Sequence, residues 1–169
     1  APMRLCVTDI RKAAEMDQLL LECPGMENGG RFPIEHTGRG RDISPGFSIG
    51  NVSPKAKTLA VTLEDVKHPL FKEFTHWLIW NIPAGPEIPP AIPAGRAVPG
   101  LGNARQGIGY GLYRYAGPKP PKGSRHTYRF TVYALDSEID LAFPATKNRF
   151  IRKAKGHILQ QGSLICDFE

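Results

Sequence analysis

Polar and apolar positions alternate most cleanly over residues 126–134. His126, Tyr128, Phe130, Val132 and Ala134 fall on one face of an extended chain, and Thr127, Arg129, Thr131 and Tyr133 fall on the other. The stretch before it is loop chemistry: Gly117, Pro118, Pro120, Pro121 and Gly123 leave no room for a helix or a ladder. A stiff loop therefore delivers a histidine to the start of a strand, at the end of its apolar face.

The same alternation predicts a strand over residues 58–65, with Leu59, Val61 and Leu63 on one face and Asp65 continuing it. In the next predicted strand, 74–82, strict alternation groups Phe74, His76, Leu78, Trp80 and Ile82 and leaves Trp77 and Ile79 opposite. Both faces are apolar, which places this strand in the middle of a buried sheet. Shorter strands are expected at 4–8 and 47–52, with a turn or strand start at 43–46, and 157–168 closes the chain as a strand. Helical spacing appears at 10–22, where Asp9 caps and Pro24 and Gly25 stop the run. It appears again at 147–155, with Thr146 as cap, Gly156 as stop, and Phe150, Ile151 and Ala154 facing inward. One helical turn is expected within 136–143. Segment 27–42 is loop, 103–114 is Gly-rich and irregular, and 83–102 is a long loop punctuated by Pro83, Pro86, Pro89, Pro90, Pro93 and Pro99.

Composition narrows the picture. A chain of 169 residues suits one domain, and 41% hydrophobic residues suit a packed core. Gly 18 and Pro 16 favour many turns and a β-rich fold. No apolar run is long enough to span a membrane, and no basic start followed by an apolar stretch marks a signal peptide. Cys6, Cys23 and Cys166 are scattered, which argues against a disulfide framework or a zinc site and for reduced thiols in a cytosol. The formal charge of +6 fits an anionic partner. Arg149, Arg152, Lys153 and Lys155 read as the wet face of a helix, and no nucleic-acid module is present.

Candidate chemistry follows from parity. Asp65, His76 and His126 each sit near the end of an apolar strand face, and a buried carboxylate is costly unless paired. Meeting in one cavity, Asp65 would fix the tautomer of one histidine. The other ring nitrogen and backbone N–H groups of residues 117–123 would face a small anion. Other readings use the same residues. Two histidines and a carboxylate match a metal triad, although no helical i, i+4 spacing supports one. Asp65 with His76 or His126 also suits acid–base work in a lyase or hydrolase. A nucleophile is harder to assign, because no G-x-S-x-G occurs and Ser124 sits in the loop with no base that spacing gives it.

Five stretches carry a resemblance. ENGGRFP followed by DISPGFSI, then LAVTLEDVKHP, FTHWLIWNIPA, GPKPPKGSRHTYRFTVYALD and the tail GHILQQGSLICDF together resemble the phosphatidylethanolamine-binding protein family, in its bacterial and archaeal Raf-kinase-inhibitor-like branch. The resemblance implies a mostly β single domain: a large central antiparallel sheet packed on a smaller sheet, with a few short peripheral helices and residues 9–25 as an inserted helix. It implies a non-enzymatic protein with no cofactor, holding a phosphate-like or head-group anion in a small pocket, with a kinase or a protease as the partner class. By position, Asp65, Phe74, His76, Gly117, Lys119, Pro121, His126 and Tyr128 match pocket residues, and Lys67, His68 and Phe168 fall at its rim. The family's D-P-D-A-P has become DVKHP, so Lys67 replaces an acid and should favour anions. H-R-Y has become HTY, and Phe168 stands near a tyrosine position. The His68–Pro69 bond is the one that the family pattern marks for a cis geometry.

Overall fold

The computed structural model describes residues 18–169. Strand β4 (Thr58–Asp65) and strand β8 (His126–Leu135) form where the alternation predicts them and pair antiparallel from Thr58 opposite Leu135 to Asp65 opposite Tyr128. Strand β5 (Phe74–Pro83) flanks β4 and the closing strand β9 (Ile158–Phe168) flanks β8. Two short strands complete this six-stranded sheet: β2 (Gly30–Arg31), parallel to β9, and β7 (Arg105–Gln106), at the edge of β5. The order is β2-β9-β8-β4-β5-β7, so β4 and β8 lie at the centre and β5 is next to an edge, not central as its hydrophobicity suggested.

A second sheet of three strands, β1 (Leu20–Glu22), β3 (Phe47–Gly50) and β6 (Glu87–Ile88), covers one face. Phe47, Ile49 and Ile88 pack into one apolar cluster with Leu59, Leu63, Phe130, Val132 and Leu164. The other face of the large sheet carries Ala60, Leu78, Trp80, Tyr133 and Leu135, covered by helix α1 (Lys147–Ala154) through Phe150 and Ala154. The Thr146 side chain caps α1 by accepting from the Arg149 N–H.

Residues 20–22 are not helical: Leu20, Leu21 and Glu22 pair with Gly50, Ile49 and Ser48. Cross-strand pairing overrides a helical spacing that lacks packing of its own. The rest of that predicted helix up to residue 17, with the strand at 4–8, lies outside the described residues. Segment 27–42 holds β2 and a 3-10 turn at Ile34–His36, and the strand after it begins only at Phe47. Residues 136–143 form no helical turn. They are tied down instead by Asn81, whose side chain bonds both the N–H and the carbonyl of Ile139. The cis peptide among the described residues is Phe143–Pro144, so His68–Pro69 is trans.

Strict alternation fails because the ladder between β4 and β5 shifts twice. Leu63 faces Trp77 but Glu64 faces Thr75, so His76 is an extra, bulged residue. A second shift lies near Asn81, whose φ of 59° is left-handed. Between the bulges, Trp77 and Ile79 join Leu59 and Leu63 in one cluster, while Leu78 and Trp80 join the helix side. Phe74, His76, Leu78, Trp80 and Ile82 therefore do not share a face. Without the bulge, His76 would point with Leu78 toward α1, away from Asp65.

Candidate functional site

Asp65 ends β4 and lies opposite Tyr128 in the ladder; His126 is two residues nearer the start of β8. That diagonal brings the Asp65 carboxylate to the His126 ring, with Oδ2 to Nδ1 at 2.5 Å. The other carboxylate oxygen accepts the Lys67 N–H at 2.9 Å. Asp65 is only 2% exposed, and these two donors explain how a carboxylate is tolerated there. Since Asp65 accepts at Nδ1, the neutral His126 ring keeps its lone pair at Nε2. Ser124 Oγ lies 2.9 Å from that atom. The serine that spacing left without a base thus has one two residues away, across the end of the loop.

The bulge turns His76 into the same neighbourhood. Its Nδ1 donates to the Ala116 carbonyl at 2.9 Å, which fixes the tautomer and leaves Nε2 as an acceptor. Both imidazoles lie against Tyr128, His76 edge-on at 5.4 Å and His126 stacked at 6.3 Å between ring centres. Burial pushes the His76 imidazole below its usual range, only partly offset by the Ala116 hydrogen bond and the charge of Asp65. Burial, reinforced by Asp65, raises the Tyr128 phenol, which stays protonated at neutral pH.

An aromatic wall closes one side. Phe74 is half-buried, sits 5.6 Å from His76, and stacks on His68 at 4.9 Å, while His68 accepts the Leu70 N–H. Tyr110, missed in the sequence because its segment has no periodicity, lies 5.3 Å from His76 and is well exposed. Glycine makes this approach possible, because a Cβ on Gly109 would lie 2.7 Å from the His76 carbonyl oxygen.

The loop from Gly117 to Ser124 forms the opposite side. Gly117 is buried, and a Cβ there would meet the His36 carbonyl oxygen at 2.0 Å. Its N–H donates to Asp42 Oδ1 at 2.7 Å, so this amide does not face an anion as the sequence suggested. Lys119 and Pro121 are exposed; the Lys119 stem leans on Gly38, and Pro121 receives the Ser124 N–H. Phe168 pairs with His126 in the ladder and is buried, with the Arg31 and Arg39 guanidinium groups over its ring. Arg39 also donates to the Pro120 carbonyl at 2.5 Å, tying the tail, the loop and the 36–42 turn together. Lys67 is exposed, and its charge acts on Asp167. Asp65, His76, His126, Tyr128, Phe74 and His68 are therefore brought together. Lys67 follows Asp65 and Phe168 lies opposite His126 in the ladder, while Pro121 meets Ser124, Lys119 leans on Gly38, and Gly117 shapes the loop from below. Among the described residues no group of three His, Cys, Asp or Glu side chains is arranged to hold a metal ion.

Two sheets over a common core, with paired histidines at the rim where β4, β5 and β8 end, define a class of β-rich binding fold. The phosphatidylethanolamine-binding protein family model matches residues 23–169, and the chain belongs to that family. It is 38% identical over 140 residues to a UPF0098 protein of Pyrococcus abyssi, covering 82% of this chain and 78% of that one. It is 33% identical to YbhB of Escherichia coli, over 67% of this chain and 75% of YbhB. The crystal structure of Escherichia coli YbcL superposes with a TM-score of 0.79 at 24% identity, covering 90% of this chain and 98% of that one, which shows the shared fold. A phosphatidylethanolamine-binding protein homologue from Chlamydia trachomatis superposes at 0.78 with 25% identity over the same shares. The bacterial and archaeal branch of the family, read from the sequence motifs, is thereby established.

Proposed function

We propose that the protein binds a small oxyanion, a phosphate monoester or a phosphorylated head group, between His76, His126 and the aromatic wall. The observation that carries the reading is the pair of imidazoles with fixed tautomers, His76 by Ala116 and His126 by Asp65, set against one tyrosine ring. Exposed Lys67, and Lys119 and Lys122 on the loop that leads to His126, favour a negative ligand, whereas Arg125 is held by Asp167. Burial keeps the His76 ring neutral, and with Nδ1 on the Ala116 carbonyl its Nε2 is an acceptor. The ligand best matched at neutral pH is therefore an oxyanion that still carries a proton, whose P–OH donates to His76. On protonation the same atom becomes a charge-assisted donor, each such bond contributing about 1.5–3 kcal/mol.

The chain should thus gain thermal stability from inorganic phosphate and from phosphoethanolamine, more at pH 5.5 than at pH 8. His126→Ala should remove most of that gain. No stabilisation by either anion at pH 5.5 would sink the reading. A kinase or a protease remains the partner class for the bound form. Exposed Leu70, Phe71 and Leu112 supply apolar contact surface for such a partner.

A further inference from the structure

The loop serine opens a chemistry that anion binding does not use. Three contacts run in series: Ser124 Oγ to His126 Nε2 at 2.9 Å, His126 Nδ1 to Asp65 Oδ2 at 2.5 Å, and Asp65 Oδ1 to the Lys67 N–H at 2.9 Å. The carboxylate is 2% exposed and holds the tautomer in which Nε2 is the basic atom. Ser124 is half-exposed, so its oxygen is reachable from solvent. The order of atoms is the one an activated serine needs: hydroxyl, imidazole Nε2, imidazole Nδ1, buried carboxylate.

The molecule contains its own contrast. Ser137, His157 and Asp136 are the same three residue types in mutual contact. There, both Ser137 Oγ (3.2 Å) and Asp136 Oδ1 (2.9 Å) approach Nδ1, and the cluster is exposed. One nitrogen cannot donate to the carboxylate and take a proton from the hydroxyl, so that cluster relays nothing. The arrangement at Ser124 separates the two roles onto the two ring nitrogens.

We infer that Ser124 is an activated nucleophile that takes the acyl group of small carboxylic esters, with His126 as its general base. Ser124 Oγ forms a bond to the ester carbonyl carbon as its proton passes to His126 Nε2. The bond from that carbon to the ester's alkoxy oxygen breaks, and the leaving alcohol takes the proton from Nε2. Water then attacks the acyl-serine, giving its proton to Nε2, and the carboxylic acid leaves as Ser124 Oγ is reprotonated. The sum is ester plus water to acid plus alcohol. The exposed ammonium groups of Lys67 and Lys122 select esters with an anionic substituent, and the Phe74–Tyr110 wall accepts a short apolar part. The inference rests on the same His126–Asp65 pair as the binding reading.

The test uses the whole chain with a fluorophosphonate probe, read by intact mass, beside hydrolysis of p-nitrophenyl acetate. The expected result is one adduct, mapped to Ser124, that is lost in Ser124→Ala and kept in Ser137→Ala. Ester hydrolysis should fall at least about tenfold in Ser124→Ala, and inorganic phosphate should slow the labelling. An adduct elsewhere, or none, in a chain that phosphate still stabilises thermally overturns the nucleophile and leaves the binding reading standing. If phosphate gives no stabilisation but Ser124 is labelled, the binding reading falls and the nucleophile stands.

Discussion

At the scale of single residues, the site is held by backbone approaches that only small side chains permit. Gly117 lets the loop lie against the His36 carbonyl, and an added methyl would have to displace backbone. Gly117→Ala should cost about 1–3 kcal/mol in denaturant unfolding and loosen the loop that presents Ser124 and His126. His76 gives the second residue-level prediction. Desolvation lowers its folded-state affinity for protons, so below about pH 6.5 the unfolded chain binds more protons than the native one. Stability of the free protein should therefore fall as pH drops from 6.5 until the folded imidazole is itself charged. Asp65 and Asp42 soften this loss and His68 deepens it. Thermal melts of His76→Gln between pH 7 and pH 5 should show a flatter profile; an unchanged slope would assign the acid loss to other groups.

At the scale of elements, two devices place the chemistry. One is the bulge at His76, which turns a side chain from the helix side of the sheet to the Asp65 side. It carries no sequence mark: Thr75, His76 and Trp77 are ordinary strand residues, and period-2 reading treats them as regular. The alternation therefore put His76 near Asp65 by a face assignment that the ladder does not follow. The other device is helix α1, which covers Leu78 and Trp80 and leaves the opposite face for the small sheet. Beneath it Glu64 is 1% exposed and meets Lys147 at 2.6 Å and Arg129 at 3.3 Å, and both cations also hold Glu73, whose carboxyl is drawn down to about 2 by them. Thr146→Ala should cost about 1 kcal/mol through the lost cap. Its effect should appear in global unfolding with no change in phosphate binding, since the cap lies on the far face of the sheet.

At the scale of the whole molecule, the net charge of +6 biases encounter with anions, and the rim decides how much of that bias reaches the site. Lys67 stands where the family pattern has an acid. Its side chain is solvated and shares its field with Asp167, so its contribution is bounded by surface screening. Lys67→Asp should lower phosphate affinity by no more than about fivefold, the equivalent of ~1 kcal/mol, and the effect should shrink at high salt. Titrations at 20 mM and 500 mM salt separate this from a direct contact, which would persist. Among the described residues no helix is long and apolar enough to cross a membrane.

Much of the fold was legible in the chain. The strands at 58–65 and 126–135, the closing strand, the capped helix and the family motifs are local patterns, and periodicity or turn chemistry reports them directly. Parity alone pairs Asp65 with His126, because the ladder between β4 and β8 is regular. The tertiary structure alone decided the rest. Residues 20–22 became a strand because a partner edge at Ser48–Gly50 was available. Tyr110 joined the site through a loop without period, and Ser124 met Nε2 of His126 only because the buried Asp65 had already taken Nδ1. Patterns of one chain segment encode which side chains are buried; ladder shifts and hydrogen-bond partners depend on neighbours distant in sequence, and these set which atom of a buried ring is left to act.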